Sequence, residues 1–410
     1  MVYLLRFSSK LIMQQLFTTF YQQLNRVSTD FKRYLYNEVH WQNRLIAIVG
    51  SRGTGKTTLL LQHIKLNHPV VSSEVLYASL DNLWFSTHSL MYLADEFSKQ
   101  GGKELYLDEV HNYVGWSREI KNIYDSYPDM KIVFTGSSLL EVYKGEADLS
   151  RRAITYHLYG LSFREFLEYE YGIKTAAVSV EEIISNHVNL ATLIAAKIKP
   201  LVAFNEYIRY GYFPYYKEDR ELYHIRLLST LNTIIELDLP AVERIDYYSV
   251  VKIKKLFAIV AAMVPFTPNI SQLSHDVETT RVSLLNYLYY LEKAQAIMLL
   301  NKESSGIKQM AKPDKVYLGN TNYAFALGAE QTNIGSVRES FFMNQVRVKN
   351  RITYSNIVDF NVSGKYNIEI GGKNKKKKQI AGIDNAYTVI DNIETGFGNQ
   401  IPLWLFGLTY

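Results

Sequence analysis

The stretch Leu45-Ile-Ala-Ile-Val49 followed by Gly50-Ser-Arg-Gly-Thr-Gly-Lys-Thr57 constrains this chain more than any other part of it. Five apolar residues in a row read as a strand buried on both faces. Thr57–Ile64 reads as the opening of a helix, and the glycines at 50, 53 and 55 let the join between them wrap tightly. Strand, glycine-rich loop and helix in this order commit the region to an α/β sheet with crossover helices. The spacing Gly50-x-x-x-x-Gly55-Lys56-Thr57 is also a complete phosphate-binding loop. The alternative is a glycine-rich turn that binds nothing, and that alternative asks for neither the lysine nor the threonine. The backbone of Gly50, Ser51, Arg52, Gly53, Thr54, Gly55, Lys56, Thr57 and Thr58 is expected to turn its N–H groups toward phosphate at the positive end of the helix. Lys56 would reach β- and γ-phosphate oxygens, and the Thr57 hydroxyl would ligate Mg²⁺. The expected ligand is a nucleoside triphosphate.

Residues 30–160 continue the alternation, with strands expected at Leu45–Val49, Val75–Ser79, Glu104–Leu107, Lys131–Thr135 and Ile154–Leu158. The third of these ends in Asp108-Glu109, the first acid lying 52 residues after Lys56. A triphosphatase needs one carboxylate near Mg²⁺ and one to orient the attacking water, and Asp108 and Glu109 fit those roles in that order. Ligands of an open parallel sheet bind beyond the carboxyl ends of its strands. That rule places Thr135 or Ser137 within reach of the γ-phosphate or the water; a solvated turn is the alternative. Arg151 and Arg152 are candidates to meet charge developing on the γ-phosphate, within the chain or across an interface. A surface charge pair is the competing account. His111, just after the acids, would position the loop or sense nucleotide.

At 410 residues the chain is too long for one core. The expected division is a P-loop ATPase domain over 1–160, a helical segment over 161–249, a winged helix over 250–325 and an α/β domain over 326–410, which the resemblance given below implies to be nuclease-like. Helical periodicity at Phe163–Glu170, Val180–Ile198 and Leu222–Glu236 supports the second of these. For the third, Ser271–His275 and Glu278–Ala294 read as two helices, and Ile297–Leu300 with Lys315–Leu318 as a two-stranded wing. Beyond 335 the pattern is a helix over Ser336–Val348, short strands at 352–360, 366–370 and 386–390, and an apolar segment Ile401–Gly407.

Composition narrows the setting. Cysteine is absent, which excludes disulfides and cysteine-based metal sites and makes a reducing cytoplasm the expected compartment. The net charge of +5 permits nucleic-acid binding without arguing for it. The N-terminal stretch to Phe20 is interrupted by Arg6, Lys10, Gln14 and Gln15, so it is expected to be an amphipathic helix packed on the ATPase, and no membrane partner is expected.

Together, Gly50–Thr57, Leu107-Asp-Glu-Val-His111, Phe134-Thr-Gly-Ser-Ser138 and Leu161-Ser-Phe-Arg-Glu-Phe-Leu167 resemble a large prokaryotic AAA-type, STAND-like ATPase family. Glu206–Pro214 and the ending Ile401-Pro-Leu-Trp-Leu-Phe-Gly407 are similar to the same family, particularly to members from the Bacteroidetes. The resemblance spans nearly the whole chain. It implies ATP with Mg²⁺ as cofactors, a winged helix, and a C-terminal module like restriction-endonuclease folds, with a DNA or protein partner and self-association both compatible. Such nucleases hold metal with acids, here Glu339, Asp359 and Glu369, and place a lysine two residues after the last. Position 371 is glycine, and Lys373 comes two residues late, so efficient cleavage is not expected. These parts combined suggest a nucleotide-driven switch or motor. The alternatives are a nucleotide-gated scaffold that turns over little and an ATP-controlled nuclease. The recognition helix carries only Arg281 and Lys293 as cations; the run Lys373–Lys378 could add phosphate contacts or be a solvated loop.

Overall fold

A computed structural model describes residues 2–68, 72–137, 149, 151–243, 245–302, 312–328, 332–373, 375 and 380–410, with side chains from residue 13 onward except those of 242 and 243. The chain forms two compact units: Met1–Tyr159 together with Asp238–Arg244, and Gly160–Leu237 together with Ile245–Tyr410. One junction therefore falls between Tyr159 and Gly160. The segments expected as winged-helix and nuclease-like, and the expected helical segment apart from Asp238–Arg244, share the second unit.

The first unit is a five-stranded parallel sheet flanked by helices, an α/β P-loop NTPase core. Its helices are α1 (Val2–Arg26), α2 (Lys56–Asn67), α3 (Leu90–Lys99) and α4 (Trp116–Ser126). Its strands β1 (Leu45–Val49), β2 (Val75–Ser79), β3 (Glu104–Asp108), β4 (Lys131–Gly136) and β5 (Ile154–His157) lie in the order β2-β3-β4-β1-β5. All four pairings are parallel. β1 is buried along its whole length, as its unbroken apolar run requires. Placing β4 between β1 and β3 leaves room between the phosphate-binding loop and the acids that end β3. Helix α1 turns Met13, Leu16, Phe20 and Leu24 inward at spacings of three and four. It packs on α2 and β2, with the Phe20 and Tyr77 rings 6.3 Å apart.

The second unit begins with α5 (Phe163–Tyr171), started by a capping box between Ser162 and Glu165. Then come α6 (Val180–Ala195), α7 (Pro200–Tyr210) and α8 (Tyr223–Thr233). α8 runs into a π-helical turn, Ile234–Asp238, and the short α9 (Leu239–Glu243) that follows belongs to the first unit. Next are α10 (Tyr247–Met263), α11 (Ile270–Asp276), α12 (Arg281–Lys293) and the antiparallel pair β6 (Ile297–Leu300) and β7 (Lys315–Leu318). α13 (Thr321–Gly328) and α14 (Ile334–Val346) lead to a second sheet. Its strands β8 (Ile352–Thr353), β9 (Phe360–Val362), β10 (Tyr366–Gly371), β11 (Ala386–Ile390) and β12 (Gln400–Pro402) stand in sequence order. β8-β9-β10 is antiparallel; β10, β11 and β12 are parallel.

Two expectations shift here. The strand expected over 352–360 is two strands, because Ser355 and Asn356 interrupt it and Asp359 lies in the turn before β9. The helix expected from Glu278 starts at Arg281, where the Thr280 hydroxyl caps the Ser283 N–H; Glu278 itself is in the left-handed region. Buried aromatic rings dominate this unit's core. Asn322 is buried among them with every polar atom used: Oδ1 accepts from the Tyr212 N–H and Tyr223 hydroxyl, and Nδ2 donates to the Tyr207 and Ile208 carbonyls. Among the described residues no single helix is long and apolar enough to cross a membrane; α6 and α7 reach that composition only together, across a 94° bend.

Candidate nucleotide site

The loop between β1 and α2 is shaped by what its glycines permit. A Cβ on Gly50 would stand 2.3 Å from the Leu158 carbonyl oxygen, so only glycine fits between β1 and β5. Gly53 and Gly55 hold φ of 84° and 94°, and Gly55 caps α2 without a side chain. The first N–H groups of α2 are thereby aimed at the loop's hollow. Arg33, itself buried, braces the outside of the loop by donating to the Thr54 carbonyl and, at 2.8 Å, to that of Tyr159. The Thr54 hydroxyl closes the loop on the Ser51 carbonyl at 2.8 Å. Thr58 is exposed on the first turn of α2.

Inside the loop Lys56 is 4% exposed, its ammonium donating to the Gly50 and Ser51 carbonyls at 3.0 and 3.1 Å. Asp108 ends β3 with a buried carboxylate that accepts three hydroxyls: Thr57 at 2.6 Å, Tyr77 at 2.7 Å, and Thr135. Burial and the Asp108 charge push the Tyr77 hydroxyl well above its ordinary range, so it stays a donor. Thr57 and Asp108 thus present two adjoining oxygens, the hard donors that Mg²⁺ takes. Residues present fit the triphosphate as well. The Ser51 hydroxyl and the His111 Nε2 are buried without a hydrogen-bond partner, beside a buried lysine and a helix N-terminus.

Glu109 follows in the left-handed region, φ 53°, which turns its side chain from Asp108 toward the loop. Strain of this kind in a non-glycine residue persists where surrounding structure enforces it. Here the Glu109 N–H donates to the Thr135 hydroxyl at 3.1 Å. One carboxylate oxygen lies 3.9 Å from Lys56 Nζ and the other 3.4 Å from His111 Nε2. Nδ1 of His111 accepts the Ser137 N–H at 3.4 Å, so Nε2 carries the proton when the ring is neutral. Burial favours that neutral form, although Glu109 and Asp238 oppose it.

Sequence-expected residues divide accordingly. Gly50, Lys56, Thr57, Asp108 and Glu109 meet at the carboxyl edge of the sheet. Thr135 is drawn onto Asp108 rather than left for water, and Ser137 is buried against His111; Ser138 lies outside the described residues. Arg151 and Arg152 need correction as groups serving their own chain's loop. They precede β5, whose first residues lie at the opposite edge of a parallel sheet, roughly 13–16 Å from the loop at about 3.3 Å per residue. Arg152 is engaged there by Asp125 at the end of α4, with two contacts of 3.1 Å, and Arg151 is exposed. Three residues had no signal in the sequence: Arg33, Tyr77 and Asp238. Asp238 is 186 positions from the loop arginine Arg52, yet its carboxylate receives that guanidinium at 3.0 and 3.5 Å.

The acids of the second unit are arranged differently. Glu339 on α14 accepts the Tyr317 hydroxyl at 3.0 Å and the Lys315 ammonium at 3.4 Å, and Lys315 lies 3.6 Å from Asp359. Burial, then the Asp359 charge, holds Glu339 above the usual carboxylate range. Burial works against the Lys315 charge, but Glu339 and Asp359 outweigh it and raise that group. Glu369 pairs with Lys375 at 2.6 Å. The gathering of Glu339, Asp359 and Glu369 around a metal that the resemblance allowed is not found: among the described residues no three acids or histidines are placed to hold one. Nor is Lys373 the lysine beside Glu369. The Lys375 stem fills the space a side chain at 371 would take, 2.6–2.7 Å from that Cβ position. Asn374 and Lys376–Lys378 lie outside the described residues.

Residues 42–167 match a family model described as an AAA domain, and residues 202–333 match a domain of unknown function. Two uncharacterized proteins of Methanocaldococcus jannaschii are similar in sequence. One is 29% identical over 298 residues, covering 69% of this chain and 62% of its own length; the other is 26% identical over 357 residues, covering 82% and 74%. The first match thus spans about three fifths of that relative's length. Among solved structures, the chain is similar to the Aeropyrum pernix ORC1 protein in complex with DNA, at 13% identity and TM-score 0.31 over 73% of this chain and 89% of that one. It is also similar to AMPPCP-bound DnaA from Aquifex aeolicus, at 14% identity and TM-score 0.24 over 63% and 84%. The AAA match covers β1 to β5 with the loop and both acids, and supports a P-loop ATPase of AAA type.

Proposed function

We propose that this protein binds ATP with Mg²⁺ at the β1–α2 loop, hydrolyses it, and uses its nucleotide state as a switch for the rest of the chain. The observation that carries the reading is the meeting of Lys56, Thr57, Asp108 and Glu109 at one sheet edge, around buried polar atoms that lack partners. The loop backbone and the α2 N-terminus hold the phosphates, and Lys56 exchanges its two carbonyls for β- and γ-phosphate oxygens. Mg²⁺, when bound, would supply positive charge against the charge that develops on the phosphates. Thr57 and Asp108 would hold it, with Tyr77 and Thr135 fixing the carboxylate's orientation. Glu109 orients the attacking water, and His111 steadies Glu109. The choice of ATP over another triphosphate is supported by the AAA match. Isothermal titration with ATP and Mg²⁺ tests the assignment: Lys56→Ala should lose binding, and unchanged affinity would refute it.

Helices α10–α12 and the β6–β7 hairpin follow the order of a winged helix, which we read as the docking module for DNA or protein. Its DNA affinity is expected to be weak, since Arg281 already donates to the Ser271 hydroxyl and Lys293 is the other cation of α12. The second sheet is read as a nuclease-like fold kept for binding. A scaffold with little turnover is the second reading, favoured by the engagement of Glu109 with both Lys56 and His111. Turnover with and without DNA at two salt concentrations separates the readings: stimulation that falls with salt marks a DNA-directed machine, and negligible turnover throughout marks the scaffold.

A further inference from the structure

The chain leaves the first unit at Tyr159, yet seven residues, Asp238–Arg244, return to it from between two stretches of the second. They arrive through a π-helical turn whose last residue is Asp238. Single π-turns inside helices concentrate at functional sites. Asp238 is 3% exposed, an unusual position for a carboxylate unless it is paired. Its partners belong to the nucleotide site. Both carboxylate oxygens face the Arg52 guanidinium of the phosphate-binding loop, and one lies 3.9 Å from His111 Nε2. That same Nε2 is 3.4 Å from Glu109 and is buried without a hydrogen-bond partner. α9, directly after Asp238, packs on the turn Val110–Asn112 that follows Glu109.

We infer that Asp238 is a positioning residue of the nucleotide site, holding Arg52 away from phosphate and setting Glu109 through His111. The inference rests on the ATP reading above and adds a regulatory contact to it. Two consequences follow from charge. A carboxylate beside the loop opposes a triphosphate, and it occupies Arg52, a loop side chain that could otherwise turn to the γ-phosphate. ATP and Asp238 therefore compete for Arg52, and whichever wins alters how the segment 238–243 is held. Because that segment is covalently continuous with the second unit on both sides, competition at Arg52 gives the second unit a nucleotide-dependent tether.

The test compares full-length wild type with Asp238→Asn, Asp238→Glu, Arg52→Ala and the Asp238→Asn/Arg52→Ala pair, by titration with ATP and ADP and by single-turnover hydrolysis. Removing a unit charge beside the loop should tighten ATP binding about tenfold, the effect of one charge acting on another over about 10 Å at an effective dielectric near 20, and ADP binding less. Hydrolysis by Asp238→Asn should slow despite the tighter binding, a split that simple loss of folding does not give, and Asp238→Glu should restore most of both. Without Arg52 the tightening should shrink, because no arginine is released, so the double variant should be non-additive. Hydrogen exchange in 239–243, measured on wild type, should rise when ATP is added and does not depend on any variant folding. Wild-type ATP-to-ADP preference in Asp238→Asn, additivity with Arg52→Ala, or exchange indifferent to ATP would each overturn the inference. Loss of ATP binding in wild type, or its survival in Lys56→Ala, would instead overturn the nucleotide reading itself.

Discussion

Each unit of this protein holds a set of buried or half-buried carboxylates, and the company they keep differs. Asp108 is surrounded by hydroxyls from Thr57, Tyr77 and Thr135. Glu339 and Asp359 share the Lys315 ammonium, and Glu369 has that of Lys375. Hydroxyl donors orient a carboxylate without bringing a positive charge to it, so a cation arriving beside Asp108 meets no competing ammonium among these three partners. Ammonium donors do bring one. Acids on adjoining strands and helices are therefore insufficient to mark a metal site; what donates to them decides whether a cation has anything to gain.

The largest effect expected is at the loop. Lys56→Ala should lower ATP affinity by at least about a hundredfold, as removal of the one buried cation facing several phosphate charges implies. Asp108→Asn should weaken binding only when Mg²⁺ is present. If Asp108→Asn left Mg²⁺ dependence intact, the hydroxyl-lined acid would be no better a metal ligand than the lysine-paired ones, and the comparison would break. Next in size, Glu109→Gln should keep ATP binding and slow single-turnover hydrolysis by about a hundredfold, since an amide cannot accept the water's proton. Equal loss of binding in both variants would remove the division of roles.

The loop and its two acids were legible in the sequence because the signals are local. Gly50, Gly55, Lys56 and Thr57 sit within eight residues, and Asp108-Glu109 ends an apolar strand of the same alternating unit. Asp238, Arg33 and Lys315 were not legible, because each acts on a partner brought near by the fold alone: Arg52 is 186 residues away, Tyr159 is 126, and Glu339 is 24. The lysine beside Glu369 shows the same limit at short range. Counting along a strand gives 371 and then 373, whereas the chain turns after Gly371 and carries Lys375 back across it. Fold class was readable from alternation; the split of 352–360 into two strands was not, since apolar residues continue through the turn that holds Asp359.

A middle-sized effect would sharpen the second half of the comparison. Lys315→Met should leave Glu339 and Asp359 facing each other without a cation and cost about 1–3 kcal/mol at pH 7.5, discounted because the cluster is only partly buried. The pH dependence has a defined sign. Glu339 is raised in the folded protein, so its burden on stability is present above that raised value and is relieved as pH falls toward the ordinary value of 4.5. Urea denaturation of Lys315→Met should accordingly show a smaller deficit at pH 5 than at pH 7.5. A deficit that grows on acidification would mean the acids are stabilised by something other than Lys315. Linear or supercoiled DNA incubated with wild type in Mg²⁺ or Mn²⁺ should remain uncut, and cleavage abolished by Asp359→Ala would show that the lysines do not silence the acids.

The smallest effect is expected from Arg151 and Arg152, and it bears on whether the first site is complete within one chain. Both sit ahead of β5, at the sheet edge away from the loop, and Arg152 is held there by Asp125. Arg152→Ala removes a two-pronged but solvent-exposed ion pair, a contact worth about 0.2–1 kcal/mol at most. Dilute enzyme should hydrolyse bound ATP at the wild-type rate in both Arg151→Ala and Arg152→Ala. An arginine reaching the γ-phosphate of a neighbouring copy would behave otherwise: turnover would rise with protein concentration in wild type and fail to rise in the variant. Concentration-independent turnover in all three proteins returns both arginines to the surface. A slowed single turnover in dilute Arg152→Ala would contradict the strand order itself, because no parallel arrangement of β1 and β5 brings that residue to its own loop.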